Sequence, residues 1–138
     1  MAGGEQFLVV RLAGHEYAIP SGRVCGMVQT RGVELHRVDG RGALRYVTSL
    51  HGRTVPIYVP NRVLGLAEQD ISARSCLLLI REVQAEEESG QEADFALAVD
   101  SVSRLAVLPP AAVRAGQGLV RLGDKWRTVL DLEALRAA

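Results

Sequence analysis

The chain has 138 residues, with 16 basic and 16 acidic side chains and no formal net charge. That length fits one domain, or two small subdomains sharing a core, and 48% apolar residues suffice to build it. Balanced charge argues against a protein that coats DNA or RNA, because phosphate binding needs a surplus of Lys and Arg.

The longest apolar run, Leu105 to Val113, contains Pro109 and Pro110 and is too short to cross a bilayer. The opening residues, Met1 to Gln6, lack a basic region followed by an apolar signal core. The expectation is a soluble cytoplasmic protein with no direct membrane insertion. Charge is unevenly placed. Residues 1–62 hold 8 Arg against 4 acidic groups, net +4, and residues 63–138 hold 8 basic against 12 acidic groups, net −4. Such a dipolar chain can steer charged partners to one side.

In chain order, Phe7 to Leu12 reads as a strand, turned by Ala13-Gly14-His15 into Tyr17-Ala18-Ile19. Arg23 to Gln29 is a further apolar segment. Tyr46–Leu50 and Arg53–Val59 flank His51-Gly52, a two-residue hairpin signal. Val55, Ile57 and Val59 share one face at period two, while Pro56 marks an edge or at least one unpaired position. Asn61 to Gly65, after Pro60, predicts a single helical turn closed by glycine. Ser75–Glu82, Phe95–Asp100, Ser103–Leu108, Leu119–Leu122 and Trp126–Leu130 continue the strands, with Gly123-Asp124 as another hairpin tip. Asp131 to Arg136 closes the chain as a short helix with Asp131 as N-cap. The acidic stretch Glu86 to Glu92 reads as a long solvated hairpin loop. Many short strands with Gly-rich turns predict an all-β fold of two small barrels.

Chemistry is sparse. Cys25 and Cys76 sit in apolar segments and read as buried small hydrophobes, not as a disulfide or metal pair. His15, His36 and His51 have no metal-ligand spacing. There is no G-x-S-x-G elbow and no phosphate loop, and Gly40-Arg41-Gly42 and Gly116-Gln117-Gly118 open no helix. Asp100 and Asp131 are read as caps on backbone N–H groups. Trp126 alternates with Thr128 and Leu130 and is expected in the core. No catalytic constellation, cofactor or metal is expected, which points to a binding module.

The order of segments resembles the CheW family of bacterial chemotaxis adaptors. Phe7–Leu12 with His15–Pro20 looks like its opening hairpin, and Leu50–Val59 with Leu64-Gly65-Leu66 is similar to its central "L-R-G-x-x-(I/L)-P" run. Ala98–Ser103 resembles the "V-D-x-V" strand end, and Leu122–Leu135 the closing hairpin and helix. The likeness implies one CheW-like domain over residues 1–138. Its fold would be all-β, two five-stranded barrel subdomains around a shared hydrophobic core with a short C-terminal helix. It implies a non-enzymatic adaptor without a cofactor. The partners would be the regulatory domain of a CheA-type histidine kinase and the cytoplasmic hairpin of a chemoreceptor, with no nucleic acid. The partner-binding residues would be Val24, Gly26, Met27, His51, Gly52, Arg53, Val99 and Val102. A receptor groove would lie near Val24, Cys76, Phe95 and Val102, with Cys76 and Phe95 alternatively filling the core. Where the family carries a Glu and an Arg forming a charged patch, this chain has Gly26 and His51. A second reading is therefore a divergent paralogue that keeps the fold but binds one partner or serves another signalling system. A small-barrel enzyme or nucleic-acid binder is a third, disfavoured by the missing constellations.

Overall fold

The computed structural model describes residues 4–39, 42–67, 71–72, 74–82 and 93–137. The acidic stretch Glu86 to Glu92 lies outside them. Twelve strands and one α-helix are present among the described residues: β1 Glu5–Leu12, β2 His15–Pro20, β3 Val24–Gln29, β4 His36–Arg37, β5 Leu44–Leu50, β6 Arg53–Tyr58, β7 Cys76–Ile80, β8 Phe95–Val99, β9 Ser101–Leu108, β10 Val113–Arg114, β11 Leu119–Leu122, β12 Lys125–Thr128 and α1 Leu132–Ala137. The mostly-β reading with a closing helix holds. Two-residue β4 and β10 were not foreseen, since pairs so short carry no period. Ser21–Arg23 forms a 3-10 turn, so Arg23 precedes its strand.

Hydrogen bonding groups the strands as β2-β1-β9, β10-β11-β12 and β3-β7-β8-β6-β5-β4. A parallel bridge between Ala18 and Val129 joins the first two groups. Local chemistry sets the turns. Leu12 faces His15 and Leu50 faces Arg53, so Ala13-Gly14 and His51-Gly52 are two-residue tips. Both residues of each tip have positive φ (49° and 82°, 52° and 77°), the twist that two-residue hairpins favour. Asn61 to Gly65 forms a turn closed by glycine as expected, but not a helix. The Leu66 N–H donates to Asn61 O at 2.8 Å and the Gly65 N–H to Arg62 O at 3.2 Å, with Gly65 left-handed at φ 72°.

Pro56 does not make β6 an edge strand. β6 pairs with β5 on one side and runs parallel to β8 on the other. The parallel ladder takes only Ile57 and Tyr58, so the missing N–H of Pro56 falls just outside it.

Three apolar clusters follow. One lies within the first strand groups, around Phe7, Val9, Ala18, Val120 and Leu122. A second lies within the six-stranded sheet, around Val55, Ile57, Leu77, Ala96 and Ala98. The third is shared: Val10, Leu12 and Ile19 meet Leu78, Ile80, Phe95, Leu97 and Val99, with Leu132 and Leu135 of α1. Strand alternation produces this division, because Leu77 and Leu79 face one side of β7 while Leu78 and Ile80 face the other. Phe95 is fully buried in the shared cluster.

Candidate functional site

The sequence-derived partner residues fall into two places. The first is β3, an edge strand of the six-stranded sheet, paired only with β7 among the described residues. Val24 stands opposite Ile80, Met27 opposite Leu78 and Gln29 opposite Cys76. Cross-strand partners share a face. Val24, Met27 and Gln29 therefore extend the sheet surface that Ile80 and Leu78 bury in the shared cluster. Val24 is half-buried against that cluster, and Met27, one strand beyond Leu78, is 54% exposed. Val102 of β9 and Cys76 of β7 pack half-buried against the same cluster. These residues form an apolar ledge at the margin of the shared core, with Met27 as its exposed part.

A bulge between Val24 and Gly26 interrupts the β3–β7 register. It leaves Cys25 out of the pairing, with its thiol donating to Leu79 O at 3.3 Å. Burial pushes the Cys25 thiol upward, against the lowering effect of the Arg81 guanidinium. Cys25 and Cys76 are both free and half-buried, less enclosed than a core reading of the sequence requires. Past the bulge, Gly26 faces Leu79. A Cβ at Gly26 would lie 3.2 Å from Leu79 Cδ1, on the face that packs into the second cluster. A side chain there turns away from Met27.

The second place is the β5–β6 tip, where His51, Gly52 and Arg53 are all exposed. In the sheet, β7 and β8 lie between β3 and β6, so the tip does not adjoin the ledge. Val99 corrects the sequence-derived set. It is 1% exposed inside the shared cluster and presents no side-chain surface. Its place at the end of a strand followed by Asp100 gave no sign of which face it took.

Trp126 is a second correction. It is half-buried and belongs to none of the three clusters. It stands opposite Arg121, and the Arg114 guanidinium lies 4.1 Å from its ring centroid. The two aspartates behave as capping groups. Asp100 Oδ2 accepts the Ala13 N–H at 2.8 Å, and Asp131 Oδ1 accepts the Ala134 N–H at 3.1 Å.

Among the described residues, no three His, Cys, Asp or Glu side chains are placed to hold a metal ion, and no helix is long and apolar enough to cross a membrane. The cavity lined by Val59, Asn61, Ser75 and Asp100 has room for about one water molecule. What the geometry offers a partner is surface: an apolar ledge on an edge strand and an exposed hairpin tip. That defines a small β-sheet interaction scaffold.

Comparison with known proteins agrees. The CheW-like domain model matches residues 6–137, so the chain belongs to the CheW-like domain family, whose members are scaffolds rather than enzymes. Its fold is similar to that in the crystal structure of the scaffolding protein TtCheW from Thermoanaerobacter tengcongensis. The TM-score is 0.72 at 17% identity, over 94% of this chain and 90% of that one. No curated protein sequence matches the chain.

Proposed function

We propose that this chain acts as one CheW-like domain, a cytoplasmic adaptor of chemosensory signalling. It would couple the cytoplasmic hairpin of a chemoreceptor to the regulatory domain of a CheA-type histidine kinase, and be recruited to receptor arrays by those contacts. Family membership supports the class of partner. The observation that carries the site is Met27, a large apolar side chain 54% exposed on the same sheet face as the shared core. Apolar side chains from an amphipathic receptor helix would cover it, with Val24 and Val102 at the margins. The tip residues His51, Gly52 and Arg53 would provide a separate, polar contact.

Co-sedimentation with a receptor cytoplasmic fragment and, separately, with the kinase regulatory domain tests this reading. Met27→Glu should abolish receptor binding and leave kinase binding and thermal stability unchanged. Unaltered receptor binding would remove the ledge from the interface. A second reading, a paralogue with a single partner, is favoured by Gly26, which lacks the family's carboxylate and whose added Cβ would press on the Leu79 side chain at 3.2 Å. Binding to only one of the two fragments would select it.

A further inference from the structure

The outer face of the β10-β11-β12 sheet carries a feature that the ledge does not use. Register places Arg121 opposite Trp126, Leu119 opposite Thr128, and Arg114 opposite Leu119. These five side chains share one face. Val113, Val120 and Leu122 lie on the other, where they pack into the first cluster. Trp126 therefore could not join that cluster.

β10 and β12 are separated by β11, about 10 Å apart across two strand spacings. Yet the Arg114 guanidinium lies 4.1 Å from the Trp126 ring centroid, and that of Arg121 lies at 5.9 Å. The indole and Arg114 thus meet across the middle strand, and one ring carries two cations. Among the described residues, neither arginine forms an ion pair with a carboxylate. Arg114 lies close over the ring and Arg121 at the limit of cation–π range, and neither N–H edge donates to another group among the described residues. Two donor forks beside an aromatic ring, with no carboxylate paired to either among the described residues, favour a planar carboxylate.

We infer that this face is a docking site for an acidic segment of a partner protein, its carboxylates accepting from Arg114 and Arg121 beside the Trp126 ring. Charge complementarity selects the partner. A nucleic-acid strand fits less well, because the chain has no net positive charge and the platform has one aromatic ring. The site lies on a different sheet from the β3 ledge.

Trp126 is the only tryptophan, so its fluorescence reads this site directly. Titration of the full chain with hexaglutamate peptide should give a saturable emission change that hexaglutamine does not. Affinity should fall about tenfold in Arg114→Gln and in Arg121→Gln, and also between about 50 and 300 mM salt. Both arginines are exposed, and thermal melts of these variants should match the parent. Met27→Glu should bind the peptide like the parent, which separates this site from the ledge. Absence of a saturable change, or equal affinity in the Gln variants, would overturn the proposal. Tighter binding of oligothymidylate than of hexaglutamate would reassign the site to phosphates and overturn the choice of partner.

Discussion

The Asp100 carboxylate holds the Ala13 amide at 2.8 Å, although 87 positions separate the two residues. Ala13 sits at the β1–β2 tip with φ 49°, a conformation that costs a residue with a Cβ about 1 kcal/mol. Asp100 occupies the break between β8 and β9, and its own N–H donates to Arg11 O at 2.9 Å. The link therefore ties the first hairpin to the point where the chain leaves the six-stranded sheet. Asp100→Ala should lower stability by about 1 kcal/mol in chemical denaturation. Ala13→Gly should raise it by about 0.5–1 kcal/mol, because it relieves the left-handed strain and keeps the N–H. A destabilised Ala13→Gly would show that the tip is not strained.

Trp126→Ala should cost about 1–2 kcal/mol, below the 3–5 kcal/mol typical of a core aromatic, because the ring is half-buried under two guanidinium groups. A loss above about 3 kcal/mol would place the ring in a packed interior after all.

At Gly26, an added Cβ meets the tip of a flexible leucine at 3.2 Å. Gly26→Ala should therefore be tolerated to within about 1 kcal/mol, whereas Gly26→Glu should lose about 1–3 kcal/mol by driving a carboxylate against Leu79. The double change Gly26→Glu with His51→Arg, which sequence comparison alone would recommend for rebuilding the family's charged patch, should fail to restore it. A gain in partner affinity from that pair would refute this placement of Gly26.

Helix α1 is fastened to the six-stranded sheet by two ion pairs, Arg23–Glu133 and Arg136–Glu82, both at 2.9 Å. Arg23 is 13% exposed and its Nε also donates to Arg81 O at 2.7 Å, whereas Glu133 is 69% exposed. Removing the two partners should have unequal effects. Glu133→Ala should cost under about 1 kcal/mol. Arg23→Ala should cost about 1–3 kcal/mol, since it strands the Arg81 carbonyl. Equal losses in urea melts would contradict the burial difference.

Burial raises the Cys25 thiol above its ordinary value of 9.0. Folding therefore favours the neutral thiol. Its contribution is fully present below pH 9 and is lost as pH rises through the higher folded value. Cys25→Ala should flatten the decline of melting temperature above pH 9, and alkylation of Cys25 at pH 8 should run slower in the folded chain than in urea.

Much of the architecture was legible in the sequence because it rests on short-range chemistry. Period-two alternation located Val55 and Ile57, the turn Ala13-Gly14-His15 and the pair His51-Gly52 marked their hairpins, and Asp131 marked the start of the helix. The order of such segments carried the family likeness. Tertiary structure alone decided which side of a strand became interior. Alternation states that two faces differ, but not which neighbour will cover each. Trp126 and Val120 lie on adjacent strands and opposite faces, and only the packing of β11 onto the first cluster turned the tryptophan outward. Val99 and Met27 both looked like surface contacts. One is buried because β8 is central in its sheet, and the other is exposed because β3 is at the edge. Strand order is set by pairings between residues far apart in the chain, and no local pattern records it.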